Sequence, residues 1–501
     1  MNLLEEFSKR CLFKSLTFIE NLKIPYPDFT VSQKEQRLIT NFYQRDYMGN
    51  ADLLKISAVC DIKKELNDRV KVFLCLYSRV IYEKMTTEKF SNSLKKIINE
   101  CPSDDCYFLF LKALVAEVNQ IDLFLESLKL NNYLYDAFEE LLYITDLSNY
   151  NYVSEKLNIY ITDNVLKQIY TLHFYVCRLL KPTGLAETVK YLIKHYKLEY
   201  ILAKSEAENR KIDQSKKISY KKNSDANLFI CNLLGSVFYT RKDFKLSVVF
   251  FEENLRHKNF CFEFIEMYSH ILYLNNEMDK LATFAQKLVL KNRNRAETMI
   301  SIANFYSLGQ LHVGAIDYLE KCIKLEDKWA SNYTLLGNEY VDMNMYPNAI
   351  ECYLKSLKFN IGDYRAYHGL GNIKKNLDLD LEATYFLKKA AEIQSEDPYF
   401  WIEYGKALEK VQKYDDAFRA YERAHAEGDI EGMLKAGDLA KKCNKFTQAM
   451  HFYEKYVEEC KTISKSCESV VDCIIDFYNQ IGNSEKVNHF LKFKNMKSDT
   501  M

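Results

Sequence analysis

Apolar positions along most of this chain fall at helical spacing. The stretch YFLFLKALVAEVNQIDLFLESL at 107–128 repeats its apolar residues every three to four positions and predicts one helical hairpin. Residues 135–145 predict the start of the next. Residues 164–195 predict another, with Tyr175, Ala186 and Tyr191 as markers. Further on, three segments align without gaps: NYTLLGNEYVDMNMYPNAIECYLKSL at 332–357, AYHGLGNIKKNLDLDLEATYFLKKAA at 366–391 and FWIEYGKALEKVQKYDDAFRAYERAH at 400–425. Gly337, Gly371 and Gly405 stand 34 apart, as do Ala349, Ala383 and Ala417, and Tyr333, Tyr367 and Trp401. One step back puts Ala303 and Ala315 in the two small positions. Two steps further back lies Gly235, with Phe238 and Phe251 in aromatic slots. A forward step of 32 reaches Gly437, Ala449 and Tyr453. Local punctuation agrees: Asp397 stands before Pro398 as an N-cap before a first-turn proline, and Pro347 opens a second helix.

A 34-residue period with these residue types is the tetratricopeptide pattern. Each repeat is two antiparallel helices, A and B. A small residue on A lets B approach, a small residue on B lets the next A approach, and aromatics fill the hollows. No repeat buries its apolar face alone, so neighbours stack. The expectation is an all-α chain, a tetratricopeptide solenoid wound as a right-handed superhelix. It divides into diverged helical repeats at 1–203, a polar loop or insertion at 204–226, a regular array with a peptide-binding groove at 227–459, and capping helices with a tail at 460–501. The insertion contains Lys216, Lys217, Lys221 and Lys222 and reads as a solvated loop, with a basic interaction segment as the alternative.

Composition narrows the function classes. Fourteen glycines and 6 prolines make 20 of 501 residues, about 4% against a usual ~12%, which leaves little room for a tightly turned sheet. Lys+Arg is 69 and Asp+Glu is 69, so the excess cation of a polyanion binder is missing and no nucleic-acid partner is expected. Fourteen cysteines without a CxxC pair read as reduced, packed thiols of an intracellular protein, nuclear and cytoplasmic. Glu5, Glu6, Lys9 and Arg10 break the start before an apolar leader can form. Lys112 and Glu117 break the best apolar run, so no membrane span is expected.

The middle of the chain resembles a known family more closely than it resembles the repeat consensus. AETMISIANFYSL (Ala296–Leu308), YTLLGNEYVDM at 333–343 and DYRAYHGLGN at 363–372 are similar to segments of the anaphase-promoting complex (cyclosome) subunit 8 family. MYSHILY at 267–273 and FLCLYSRVI at 73–81 are similar too. Departures occur at Tyr367, where the family carries tryptophan, at His368 for an aromatic, at Asn372 for glutamine, and at Ile373-Lys374 for Thr-Tyr. The resemblance implies a non-catalytic scaffold subunit of a ubiquitin ligase acting in cell division. It also implies homodimerisation through the amino-terminal repeats. The groove would receive segments of neighbouring subunits and of WD-repeat activators. Sister tetratricopeptide subunits of the same complex share these habits.

Candidate chemistry in the residues is sparse. The nine histidines show no HExxH or triad-like context, and no phosphate loop is present, so neither catalysis, a cofactor nor a small-molecule substrate is expected. Cys101 with Cys106, and Cys460, Cys467 and Cys473, lack the paired spacing of a zinc site, and no metal is expected. Tyr306, Tyr340, Tyr353, Tyr421 and Tyr453 occupy repeat slots and read as core. One pattern points to binding. Asn304, Asn338 and Asn372 follow the small helix-A position in three successive repeats, where side chains line the groove. An amide offers donor and acceptor, which suits the backbone of an extended peptide. Glu297, Asp342, His368 and Glu409 are expected on the same surface, with Glu297 and Asp342 placed to meet an arginine. Two other readings stay open. A co-chaperone needs a lysine clamp where Ile300, Thr334 and His368 stand. An enzyme with an appended repeat domain needs ~150 residues that the repeats do not leave.

Overall fold

A computed structural model describes residues 69–491 apart from 87–89, 147, 179–181, 183, 203–226, 259, 326–328, 464–467 and 482–484. The expectations on the first residues and on the lysine-rich insertion therefore lie outside the described residues. Two compact units are formed, Met1–Lys328 and Trp329–Met501. Among the described residues every named element is a helix, there is no strand, and no helix is long and apolar enough to cross a membrane.

The first unit contains α1 (Arg69–Thr86), α2 (Asn92–Asn99), α3 (Cys106–Val115), α4 (Gln120–Leu130), α5 (Tyr135–Ile144), α6 (Tyr150–Tyr160), α7 (Asn164–Arg178) and α8 (Leu185–His195). These are followed by α9 (Leu228–Thr240), α10 (Phe244–Leu255), α11 (Glu266–Leu274), α12 (Met278–Lys291), α13 (Ala296–Leu308) and α14 (His312–Leu325). The 107–128 stretch is the hairpin α3–α4, and 135–145 is α5, as the periodicity predicted. The 164–195 hairpin also forms, but two of its markers are misplaced. Ala186 and Tyr191 face solvent, while Leu185, Val189, Leu192 and Ile193 are buried. The apolar stripe of α8 is offset from those markers because leucine and valine, not alanine, fill its close contact.

The second unit contains α15 (Ala330–Asp342), α16 (Tyr346–Phe359), α17 (Tyr364–Asn376), α18 (Asp380–Ile393), α19 (Pro398–Lys410), α20 (Tyr414–Ala426), α21 (Glu431–Lys442), α22 (Phe446–Ile463) and α23 (Glu468–Ile481). Each hairpin packs on the next through its B helix. Asp397 caps α19 by accepting from the Tyr399 N–H at 3.1 Å, with Pro398 in the first turn, and Pro347 sits in the first turn of α16.

The small positions do the work their spacing implied. Gly235, Ala303, Gly337, Gly371, Gly405 and Gly437 on A helices are all buried, as are Ala315, Ala349, Ala383, Ala417 and Ala449 on B helices. A Cβ on Gly337 would lie 2.7 Å from the Tyr353 ring, on Gly405 2.5 Å from Tyr421, on Gly437 2.5 Å from Tyr453, and on Gly371 2.7 Å from Leu387. Real Cβ atoms do not approach that closely, so only glycine admits these side chains.

The turns from A to B share a device that sequence reading missed. Lys242, Asn276, Gln310, Asn344, Asp378, Gln412 and Asn444 all adopt left-handed backbone, with φ between 56° and 62°. Their spacing repeats the period, including the final step of 32. In each turn the next N–H bonds a carbonyl five residues back, for example Met345 N to Tyr340 O at 2.8 Å and Lys445 N to Ala440 O at 2.9 Å. This is the Schellman closure of a helix end. It is usually signalled by glycine, and here no glycine stands in the left-handed position.

Candidate functional site

The candidate groove residues lie on A helices and are described within each unit. In the second unit the site is built outward from a buried polar knot. Asp363 precedes α17 and is wholly buried. Its carboxylate accepts from Thr334 Oγ1 at 2.7 Å, from Ser356 Oγ at 3.0 Å, and from the Arg365 Nε at 3.0 Å and backbone N–H at 3.2 Å. Burial alone would raise its pKa; Arg365 and the two hydroxyls outweigh that and hold it below the usual aspartate value. The knot fixes the start of α17 against α15 and α16. It also gives a physical reason for the Asp363 and Arg365 that open the 363–372 segment.

On α17, His368 and Asn372 lie together, with Asn372 Nδ2 3.3 Å from the ring Nε2. The imidazole meets Tyr399 and Phe400 edge to face, at 5.7 and 5.4 Å between ring centres. Burial lowers its pKa, Glu403 opposes that, and Lys375 adds to it. Glu403 on α19 accepts from Lys406 at 2.8 Å and Lys375 at 3.3 Å. Burial would raise its pKa, but these two lysines hold it below the ordinary value.

Asn338 on α15 is exposed, and its Oδ1 accepts from the Tyr353 hydroxyl at 2.7 Å. Asp342, the last residue of α15, is exposed. Glu409 on α19 is half-buried, accepts from the Tyr421 hydroxyl and lies 3.7 Å from Lys442 Nζ. Asp438 on α21, which the sequence reading did not single out, accepts from the Tyr453 hydroxyl at 2.8 Å. Its signal was available: it follows Gly437 as Asn338 follows Gly337.

In the first unit the expectations need correction. Asn304 is not an open groove residue. It is buried, and its Nδ2 donates to Ser269 Oγ on α11 at 2.8 Å. The small Ser269 leaves a hollow that the amide fills. Glu297 is half-buried and already holds an arginine of its own chain. Arg295 Nη2 lies 2.7 Å from it and 3.1 Å from Glu263, and the guanidinium sits 4.9 Å over the Phe262 ring. Burial opposes the charge on Arg295, but the two carboxylates prevail and raise its pKa.

Other residues behave as packing. Cys101, Cys106, Cys231, Cys322 and Cys460 are buried free thiols, and Cys473 is half-buried. Tyr353, Tyr421 and Tyr453 are buried, whereas Tyr306 and Tyr340 are half-buried. Ile300 and Thr334 are buried as well, so two of the three positions that a co-chaperone clamp needs point into the packing, and His368 is half-buried.

The comparisons with known proteins agree with this architecture. A tetratricopeptide repeat model matches residues 330–360, which spans the hairpin α15–α16. Anaphase-promoting complex subunit 8 of Arabidopsis thaliana is 35% identical over 109 residues, 22% of this chain and 19% of the relative. Anaphase-promoting complex subunit CDC23 of Saccharomyces cerevisiae is 32% identical over 118 residues, 24% of this chain and 19% of the relative. Anaphase-promoting complex subunit 3 of Schizosaccharomyces pombe is 24% identical over 196 residues, 39% of this chain and 30% of the relative. The matches thus take in about a fifth to a third of the relatives' length. A crystal structure of the hetero-tetramer Cut9-Hcn1 superposes with a TM-score of 0.56 at 14% identity over 92% of both chains, which establishes the fold. The chain is a tetratricopeptide-repeat protein, and its repeats are similar to those of the anaphase-promoting complex subunits, subunit 8 among them.

Proposed function

We propose that this chain is a non-catalytic scaffold subunit of a ubiquitin ligase of the anaphase-promoting type. It binds segments of neighbouring subunits and of WD-repeat activators along its A helices, pairs with a second copy through its first repeats, and works in the nucleus and cytoplasm during cell division. The observation that carries this reading is the similarity to anaphase-promoting complex subunits, subunit 8 of Arabidopsis thaliana and subunit CDC23 of Saccharomyces cerevisiae among them, joined to a fold that follows an anaphase-promoting complex protein over 92% of the chain. Physical argument adds a mechanism. Helices stacked in advance present polar side chains without an ordering cost at the moment of binding. Several weak contacts, joined in one dimeric scaffold, raise each other's effective concentration.

Two measurements on the tagged full-length chain test the proposal. Affinity purification followed by mass spectrometry is expected to recover a cullin-like subunit and a RING subunit. Recovery of the chain with no other ligase subunit overturns it. Light scattering on the purified chain is expected to give a mass near twice 59.1 kDa, and a clean monomer removes the pairing.

A further inference from the structure

We infer that the helix-B tyrosines of the second unit are positioning residues for the groove, and that Tyr353 turns Asn338 into a site that takes a hydrogen-bond acceptor, such as a main-chain carbonyl of an extended segment. The inference rests on the groove reading above. The slot sixteen residues after each small helix-A residue holds Tyr353, Leu387, Tyr421 and Tyr453. Each tyrosine ring lies against the glycine of its own hairpin. Each hydroxyl then reaches a polar side chain on helix A: Asn338 Oδ1 at 2.7 Å, Glu409 Oε1, and Asp438 Oδ1 at 2.8 Å. One arrangement therefore recurs in three of the four hairpins.

Its consequence is sharpest at Asn338. A phenol that donates to Oδ1 fixes the amide, and the two N–H donors on Nδ2 are left to the exposed side. The site then prefers an acceptor. A second glycine makes room for it. Gly369 on the neighbouring A helix is not the small repeat residue, which is Gly371, yet a Cβ there would fall 2.4 Å from Tyr353 Cζ and 2.7 Å from its hydroxyl. Its bare backbone gives the phenol its path to Asn338. Where the slot holds Leu387 no hydroxyl is available, and Asn372 has the His368 ring beside it instead.

The test uses the full chain and a fluorescein-labelled 12-residue peptide selected on it from a random phage library, with binding read by anisotropy. Asn338→Ala and Asn338→Asp are compared with Tyr353→Phe, which keeps the ring that packs on Gly337 and Gly369. Tyr353→Phe is expected to weaken binding several-fold with its melting temperature unchanged. Asn338→Asp, which puts acceptors where donors stood, is expected to weaken it about tenfold or more, beyond Asn338→Ala. Esters placed singly along the peptide reduce one carbonyl's acceptor strength each. One such position is expected to weaken binding to the wild-type chain and to lose that effect on Tyr353→Phe. If Tyr353→Phe binds within twofold of wild type while Asn338→Ala has lost affinity, the orienting role is wrong and the groove reading stands. If all three variants bind the peptide as wild type does, Asn338 is not part of a binding surface, and both readings fail there.

Discussion

Glycine at the small helix-A position is a steric requirement, not a conformational one. Gly405 has ordinary helical backbone, but a Cβ on it would press on Tyr421, whose ring is wholly buried and whose hydroxyl is tied to Glu409. Gly405→Val is expected to cost about 2–3 kcal/mol of stability, because overpacking outweighs the small gain in helix propensity. Urea unfolding followed by the fluorescence of Trp401, in the same helix, measures it. Adding Tyr421→Leu is expected to return at least about 1 kcal/mol, the coupling of two residues in contact. An unchanged midpoint in the single variant would remove the steric account. These positions were legible in the sequence because a fixed period exposes them. The surroundings of the candidate groove residues were legible only in part. Asn338 is exposed and Asn372 half-buried, while Asn304, alike in sequence and register, is buried on Ser269. Whether a polar side chain in that register is free depends on the residue facing it across the stack. A serine 35 positions away cannot be read from the period.

The same limit acts at the scale of the element. The helices themselves follow from apolar periodicity, and seven A-to-B turns follow the repeat, in five steps of 34 residues and a last one of 32. Their closure was not legible, since left-handed backbone falls on Lys242, Asn276, Gln310, Asn344, Asp378, Gln412 and Asn444, with no glycine among them. For an L-residue that conformation costs roughly 1 kcal/mol, so stacking of the hairpins must hold these turns. Gln412→Gly is expected to stabilise the second unit by up to about 0.5 kcal/mol, the relieved strain of roughly 1 kcal/mol less the added freedom of the unfolded chain. The midpoint of urea unfolding checks it, and a loss of stability would mean that the Gln412 side chain contributes more than its backbone costs. In α1–α8, which lie before the regular period begins, a long-range polar contact closes one helix end. Arg178, at the end of α7, donates to the carbonyls of Tyr143 and Thr145 at 2.9 and 2.6 Å and so closes the end of α5. No spacing rule foretells a helix end capped from 33 residues away.

At the scale of the whole molecule, a repeat array has stability spread along the chain, because each hairpin leans on its neighbours. The substantial helix contacts of the second unit join only elements one or two places apart. The first unit holds a buried imidazole. His173 on α7 is wholly buried among Tyr135, Phe138, Phe229 and Phe264, with ring centres 5.4 to 5.9 Å away. Its Nδ1 lies 2.9 Å from the Ile169 carbonyl, which can only accept, so that nitrogen carries the proton of the neutral ring. Burial lowers its pKa from 6.5 to about 4, against a small opposing effect of that carbonyl. The folded unit therefore binds this proton less readily than the unfolded chain does. The stability that comes from the neutral ring is complete above pH 6.5 and drains away as pH falls towards 4. At pH 5 the loss amounts to about 2 kcal/mol, because that pH lies about 1.5 units below 6.5 and each unit is worth about 1.36 kcal/mol. Both tryptophans, Trp329 and Trp401, belong to the second unit, so their fluorescence does not report on it. Amide exchange in α5 and α7 does. Protection there, corrected for the intrinsic rate, is expected to fall by about thirtyfold more between pH 7 and pH 5 in the wild-type chain than in His173→Phe. Exchange in α19 and α20 provides the internal reference and is expected to respond alike in both chains. Equal pH dependence of α5 and α7 in wild type and variant would show that the acid sensitivity of this unit lies elsewhere than in its buried imidazole.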